Sequence, residues 1–257
     1  MKDKYNKSIE EDKMAGYKEL NREEIDQIIG DYRISSHKIA LGCLFILFGV
    51  SILIGMLALA ELNVFDLTED QASIIGVCVM LVFVALAVSL FIKYGMKLDK
   101  YEKYEQELVE LSYVDKTYLE NLKDSIHFPS VLARSVILFV VSCIPILIGE
   151  LMFPENEGYS LLGVVLCLWL VGLGVYWLLK AVMMYSICDQ LLQEGDYEPS
   201  KKMRNKKYSG LVAAYWLIIT LGYFTYSFIS NRWDISWLIW PIAGILYGIV
   251  SVLANRD

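Results

Sequence analysis

The residues with the clearest binding chemistry are aromatic side chains near the end of the 257-residue chain. Indole and phenol rings bind apolar ligands, and a proline inside an apolar helix opens a groove beside them because it removes a backbone hydrogen bond. The candidate ligand groove comprises Trp216, Tyr223, Trp237, Trp240 and Pro241. The alternative is packing and anchoring, because tryptophan is typical of the membrane–water interface.

Residue types that hold metals or act as nucleophiles occur without the spacing that such sites need. The two histidines, His37 and His127, are far apart in sequence, and the five cysteines lie within or at the edge of apolar runs. Zinc sites use clustered Cys and His ligands, and phosphate loops and nucleophile elbows use glycine motifs that the sequence lacks. We therefore expect no catalytic residue, no metal and no cofactor, and we interpret the protein as a non-enzyme.

The ionisable residues nearest the apolar runs stand at the ends of those runs. They are Glu61, Arg134, Glu150 and Lys180. Ion-coupled and proton-coupled transporters instead place ionisable residues near the bilayer centre. The pattern therefore argues against a proton-coupled transporter.

The elements that would position any site are long apolar segments. The chain is 56% hydrophobic, with a mean hydropathy of +0.45. Each apolar run is long enough, at about 1.5 Å per helical residue, to cross a hydrocarbon core of roughly 30 Å. The sequence thus predicts an all-α polytopic membrane protein, a single membrane domain over 39–254 after a polar segment 1–38. Its six transmembrane helices form three hairpins, with spans at about 39–60, 73–94, 131–152, 160–182, 211–230 and 235–254.

Basic residues divide between the two sides of the predicted membrane domain. Of the 23 Lys and Arg residues, eight lie in 1–38, seven in 93–134 and six in 180–207, while the three opposite loops hold only Arg232. Cytoplasmic loops carry the excess of Lys and Arg. We therefore expect a multi-pass protein of the cell membrane with both termini in the cytoplasm. The basic run 201–207 either sets this topology or recognises anionic headgroups.

Two polar segments expected in the cytoplasm carry apolar faces at helical spacing. Asn21 and Glu24 have the capping-box pattern that begins a short helix, and the loop 97–130 predicts a helical hairpin. The candidate partner-docking residues on these faces are Ile25, Ile28, Ile29, Tyr32, Tyr101, Tyr104 and Leu108. The alternative is that the first face lies on the membrane surface or against the helix bundle, and that the loop is a solvated connector with one face packed.

Local signals give the expected boundaries in this region. Within the loop, a first helix has one face formed by Tyr101, Tyr104, Leu108 and Leu111. Asp115 or Thr117 is predicted to begin a second helix, and His127-Phe128-Pro129 to end it. Pro145 predicts a kink in the third span.

The first two predicted hairpins share a sequence pattern. Ile52–Gly55 recurs as Ile146–Gly149, and a second set of residues recurs at another fixed offset: Ser73, Gly76, Val77, Leu81 and Lys93 as Ser160, Gly163, Val164, Leu168 and Lys180. Since both hairpins start on the same side, the pattern predicts a parallel repeat, not the inverted repeat of many transporters.

The chain also resembles a known family over roughly residues 20–254. The resemblance rests on Leu191–Tyr197, a basic linker, and then Tyr215-Trp216, Ser227-Phe228, Trp233, Ser236-Trp237 and Ile239–Gly244, with Ile39–Gly42 and Lys93–Met96 in the first hairpin. It is similar to the C-terminal membrane domain of XRE-type helix-turn-helix regulators of Gram-positive bacteria. The resemblance implies membrane location and an association with signalling. That family has a DNA-binding domain of about 65 residues before the membrane region, where this sequence has a charge-rich stretch of about 20 residues, too short for that fold.

These observations favour a non-enzymatic sensory or regulatory membrane module that binds no nucleic acid directly. It would relay a membrane or envelope signal to a cytoplasmic regulatory protein through residues 1–38 and 97–130. One alternative is a permease or exporter subunit working with a separate ATPase, and another is an immunity-type membrane protein. Small-residue faces such as Gly172-Leu173-Gly174 are compatible with helix contacts within one chain or in a homo-oligomer.

Overall fold

The computed structural model describes residues 17–64, 67–105, 107–231 and 233–254, which are almost entirely helical. The chain divides into two compact units, Met1–Pro199 and Ser200–Asp257. Among the described residues, five helical segments are long and apolar enough to cross a membrane. The all-α class is therefore confirmed, and the helices are compatible with membrane insertion. The first part of the predicted segment 1–38, before Tyr17, lies outside the described residues.

The first helix, α1, joins two elements that the sequence predicts as separate. It runs from Arg22 to Glu61 as one helix of 40 residues, where we expect a short helix followed by a span at 39–60. Its predicted start is confirmed, since Asn21 is the N-cap and its N–H donates to Glu24 Oε2 at 3.3 Å. The connecting stretch 33–38 contains no proline or glycine, so nothing in the backbone ends the helix there.

Helix α2 (Glu69–Asp99) packs along α1. Thr68 caps it as predicted, and its hydroxyl accepts a hydrogen bond from Gln71 N at 3.3 Å. Glycines bring the two helices close together: a Cβ added at Gly76 would lie 2.9 Å from the Cα of Leu53. Such small residues allow close helix approach in lipid.

A polar helix, α3 (Tyr113–Ser125), precedes the third apolar region, which is divided into two helices, α4 (Phe128–Val141) and α5 (Ile144–Met152). The N-cap of α3 is Ser112, so the predicted starts at Asp115 or Thr117 are wrong. The predicted break at 127–129 is confirmed, because His127 adopts a left-handed conformation with φ 49°. The expected effect of Pro145 is also seen, since the helix is interrupted between α4 and α5 and the proline lies in the first turn of α5.

Helix α6 (Glu157–Leu192) contacts α1 on one side and α4 and α5 on another. Its glycines again mark close approaches. A Cβ at Gly163 would lie 2.7 Å from the carbonyl oxygen of Pro145. The helices of this unit therefore follow one another in contact as α2, α1, α6 and then α4 with α5.

A small parallel sheet replaces part of the helix predicted in the loop. Strand β1 (Tyr17–Glu19) pairs with β2 (Leu108–Glu110), so Lys18 stands opposite Val109. Residues 102–105 form a short 3₁₀ helix. The prediction that Tyr101, Tyr104, Leu108 and Leu111 share one helical face is wrong, because the chain becomes extended after this turn and pairs with a strand about 90 residues earlier.

The second unit contains most of helix α7 (Pro199–Ser230), the one-turn helix α8 (Trp233–Ser236) and α9 (Ile239–Ala254). A turn at 237–238 separates α8 from α9, so the segment 235–254 is not the continuous helix that the sequence predicts. The long apolar helix of this unit is Gly210–Ser230, while Ile239–Gly248 is a shorter one. The side chains of residues 203–209, which include most of the basic run 201–207, lie outside the described residues.

Candidate functional site

The ends of α1, α2 and α6 and the whole of α3 meet in a compact region that we name the base, formed by residues 17–32, 98–105, 107–127 and 184–197. Its core contains Ile25 and Ile28 of α1, Leu119 of α3, and Ile187 and Leu191 of α6, each no more than 1% exposed. Amphipathic ends of long helices bury their apolar stripes against one another here. The base is therefore a small hydrophobic core built on the extensions of the apolar helices.

The candidate partner-docking residues form part of this core. Ile25, Ile28, Ile29, Tyr101 and Tyr104 are buried, Tyr32 packs against them, and Leu108 is partly buried in β2. The apolar residues of α1 and those of the loop therefore belong to the same core. Packing within the chain was one of our two alternatives, and a partner would have to meet other residues of the base.

Asp31 holds the ends of α1 and α2 together. Its carboxylate forms ion pairs with Lys97 and Lys100, both at 2.8 Å, and accepts a hydrogen bond from Tyr101 Oη at 2.7 Å. Burial alone would raise the pKa of Asp31, but the hydrogen bonds from Lys100, Lys97 and Tyr101 outweigh it and hold that pKa well below its usual range. The carboxylate is thus an ionised clamp at the boundary between the base and the apolar helices.

Lys123 plays the corresponding role between α3 and α6. Its ammonium lies 2.5 Å from Asp189 Oδ1 and 2.6 Å from Glu194 Oε2, and it stands over the ring of Tyr185 at 4.8 Å. Desolvation lowers the pKa of Lys123, but the two carboxylates more than offset this and the pKa is raised. Since Lys123 is only 16% exposed, this pair is screened less than a surface ion pair.

A polar cavity of about 430 Å³ opens on the base where the two strands end and α1 and α3 begin. Arg22 lies in its lining and pairs with Asp115 at 3.1 Å, while its guanidinium stacks on the ring of Tyr118 at 3.5 Å. Ser112 donates to Asp115 Oδ2 at 2.6 Å and thereby fixes the start of α3. These contacts tie α1 to α3.

One backbone carbonyl of the sheet accepts a hydrogen bond from a side chain that follows α6. Gln193 follows α6 in a left-handed conformation, with φ 55°, and its Nε2 donates to the carbonyl oxygen of Val109. Side-chain amides carry the same donor and acceptor groups as the backbone. The end of α6 is therefore attached to β2, and through it to β1.

Two polar contacts connect α1 and α6 outside the base. The Trp169 indole donates to Ser51 Oγ at 3.0 Å, and His37 Nδ1 and Tyr176 Oη are hydrogen-bonded at 2.6 Å. Neither contact was predictable from the sequence, because partners more than 100 residues apart leave no local signal. A single polar residue within an apolar run indicates that a hydrogen-bond partner is needed, but it does not indicate which residue that partner is.

In the second unit the structure brings together three of the five candidate groove residues. The Trp240 ring lies 6.2 Å from Trp216 and 5.7 Å from Tyr223, and Tyr215 Oη donates to the Ala243 carbonyl at 2.6 Å. These rings pack on one another across the hairpin. Trp237 is 56% exposed and Pro241 is also exposed. The aromatic rings thus contact one another across the hairpin, while Trp237 lies on its surface and Trp240 is still 40% exposed.

Among the described residues no group of His, Cys, Asp and Glu side chains is arranged to hold a metal ion. No family model, curated protein or solved structure matches this chain.

Proposed function

We propose that this protein is a non-enzymatic sensory or regulatory membrane module that relays a change in the bilayer to a cytoplasmic partner through the base. One observation carries this proposal: α1 and α6 are continuous helices from the apolar bundle into the core of the base. A tilt or displacement of either helix in the membrane would move residues of that core directly. The observation supports mechanical coupling, which a relay requires.

The contacts at the boundary support the same proposal. The Asp31 pairs link α1 to α2, and the Lys123 pairs link α3 to α6. Because the Arg22–Asp115 pair also joins α1 to α3, all four helices are constrained together, and a change in one helix alters the packing of the others. In the proposed topology the base lies in the cytoplasm, on the side of the membrane with the excess of basic residues, and both termini lie there too.

The proposed architecture includes a sixth span over α9 and a parallel repeat of the first two hairpins. Close glycine contacts support the repeat, since Gly76 meets α1 at Leu53 and Gly163 meets α5 at Ile146. Residues 239–254 give 16 helical residues, about 24 Å at 1.5 Å per residue, which is short for an upright span. Thinning of the bilayer around α9 would accommodate this length.

The proposed partner must use the exposed surface of the base, because the docking faces expected from the sequence are internal. Tyr113 and Val114, at the start of α3, are 85% and 72% exposed. A photoreactive amino acid at position 113 or 114 in the full chain, activated in living cells, would capture a protein bound there. The same photoreactive amino acid in place of Leu119, which is fully buried, is the matched control.

Mass spectrometry of the captured protein separates the proposal from its alternatives. A DNA-binding or other regulatory protein, captured from positions 113 and 114 but not from 119, is the expected result. Capture of an ATPase would favour the exporter subunit, and capture of a membrane toxin would favour the immunity protein. Capture of no second protein, together with unchanged transcription after gene deletion, would refute the relay.

A further inference from the structure

The outward face of α2 carries a shallow, open groove that the other helices of the first unit leave uncovered. Its lining belongs to α2 alone and comprises Leu81, Val84, Ala85, Val88, Ser89, Ile92 and Lys93. The lining is apolar apart from one hydroxyl and one ammonium. Ala85 and Ser89 are its smallest side chains, and they leave room on the helix surface between the larger aliphatic ones.

The corresponding face of α6 is filled by protein. In the proposed repeat, Ala85 and Ser89 correspond to Gly172 and Tyr176, 87 residues further along the chain. A Cβ at Gly172 would contact Leu47 of α1 at 3.7 Å, and Tyr176 is hydrogen-bonded to His37 of α1. The same helical face is therefore covered on α6 and open on α2, so an apolar chain can lie against α2 where α1 lies against α6.

The charge of Lys93 indicates which class of ligand would occupy the groove. Lys97 and Lys100, one and two turns beyond the groove, both pair with Asp31. For Lys93 the described residues show a ring contact with Tyr94 at 5.6 Å and no ion pair. An ammonium at the polar end of an apolar groove is complementary to a ligand with an acyl chain and an anionic head.

We propose that this groove binds an anionic lipid, with an acyl chain along residues 81–92 and the headgroup on the Lys93 ammonium. The helix from Leu81 to Lys93 is about 18 Å long at 1.5 Å per residue. One leaflet of a hydrocarbon core of roughly 30 Å has a similar depth. The lipid would be a ligand of the proposed sensory module. This inference rests on only one part of that proposal, the insertion of α2 into the membrane.

The test uses the full chain in nanodiscs of phosphatidylcholine containing a small fraction of phosphatidylglycerol with a photoreactive acyl chain. After irradiation, mass spectrometry measures labelling of the peptide that contains residues 81–93. A phosphatidylcholine probe with the same acyl chain is the comparison. We expect about fivefold more labelling by the anionic probe, the effect of one lysine at the membrane surface.

The repeat provides a matched control. Lys93→Gln should reduce labelling by the anionic probe to the level of the neutral probe, whereas Lys180→Gln should leave it unchanged, since α1 covers the corresponding face of α6. Ala85→Leu should reduce labelling by both probes because it fills the groove. If Ala85→Leu fails to fold, the two lysine variants still decide the question.

Three outcomes would overturn the inference. They are equal labelling by the two probes, an equal loss in both lysine variants, and crosslinks from residues 81–93 to a second copy of the chain. The last would assign the groove to a helix of another subunit. None of these readouts involves the cytoplasmic partner, so a failure of the relay and a failure of lipid binding are distinguishable.

Discussion

Trp169 donates its indole N–H to the hydroxyl of Ser51, and this 3.0 Å hydrogen bond joins α6 to α1 within the apolar bundle. Ser51 in turn donates to the carbonyl oxygen of Phe48 at 2.7 Å. The contact satisfies the Trp169 indole N–H, which would otherwise have no hydrogen-bond partner among apolar side chains such as Phe48. It therefore fixes the register of the two helices that continue into the base.

The first prediction concerns this hydrogen bond. Ser51→Ala leaves the Trp169 N–H without its acceptor, which should lower the free energy of unfolding by about 1–3 kcal/mol. Thermal unfolding of the purified protein in one detergent would measure the loss. Trp177→Phe is the control, because Trp177 lies on the same helix with a similar exposure, 46% against 50% for Trp169, and among the described residues its indole makes no hydrogen bond. An equal loss in both variants would contradict a specific role for the contact.

The second prediction concerns pH and Asp31. Because the pKa of Asp31 is lower in the folded protein than in the unfolded chain, its contribution to stability is fully present above about pH 4 and is lost as the pH falls further. Asp31→Asn should cost about 1.5–3 kcal/mol at pH 7 and reduce the loss of stability in acid. Unfolding midpoints between neutral and acidic pH test this. Asp26→Asn, at an exposed pair with Arg22, should cost less than about 1 kcal/mol.

The third prediction concerns Lys123. Lys123→Met leaves Asp189 partly buried beside an apolar side chain, and we expect a loss of about 3 kcal/mol at pH 7. Since the pKa of Lys123 is raised on folding, its contribution is fully present below about pH 10 and is lost only as the pH rises further. The comparison is Lys116→Met, which removes an exposed 3.9 Å pair with Glu120 and should be nearly neutral. If Lys123→Met leaves the free energy of unfolding unchanged, the Lys123 ion pairs do not hold α3 to α6.

The fourth prediction concerns close helix packing. An alanine Cβ at position 163 would lie 2.7 Å from the carbonyl oxygen of Pro145, so Gly163→Ala must separate α6 from α5 and should cost about 1–3 kcal/mol. Gly95→Ala in α2 meets nothing within 4 Å and should instead stabilise the helix by about 0.5–1 kcal/mol. Chemical denaturation should show a lower free energy of unfolding for Gly163→Ala and a higher one for Gly95→Ala. A neutral or stabilising effect at position 163 would contradict the packing.

Local chemistry made much of the helical structure predictable. Asn21 and Thr68 begin helices because their capping signals lie within three residues of one another in sequence. Pro145 interrupts the third apolar region for an equally local reason, a missing N–H. The length and hydropathy of the apolar runs likewise indicated helices able to cross a membrane.

The base could not be predicted in the same way, because its contacts join distant parts of the chain. Val109 pairs with Lys18, and Lys123 meets Asp189, across separations that no short pattern reports. The apolar spacing of Ile25, Ile28 and Ile29 correctly indicated a face to be covered. A single sequence does not say whether that cover is a partner, the membrane or the chain itself.

The measurement that tests the relay most directly is the accessibility of Cys188, which is fully buried in the core of the base. Its rate of alkylation by a membrane-impermeant maleimide would be followed in inside-out vesicles containing the full chain. Ser51→Ala, whose change lies in the apolar bundle, is compared with the unaltered protein and with Trp177→Phe. Peptide mapping distinguishes Cys188 from the other cysteines.

If movements of α1 and α6 in the membrane reach the base, Ser51→Ala should increase the rate of Cys188 alkylation about fivefold or more, with Trp177→Phe unchanged. This is the increase expected when the packing that keeps the base closed loses about 1 kcal/mol. An unchanged rate in Ser51→Ala, in a variant whose thermal stability has fallen as predicted, would show that the base is closed independently of the bundle. That result would contradict the relay.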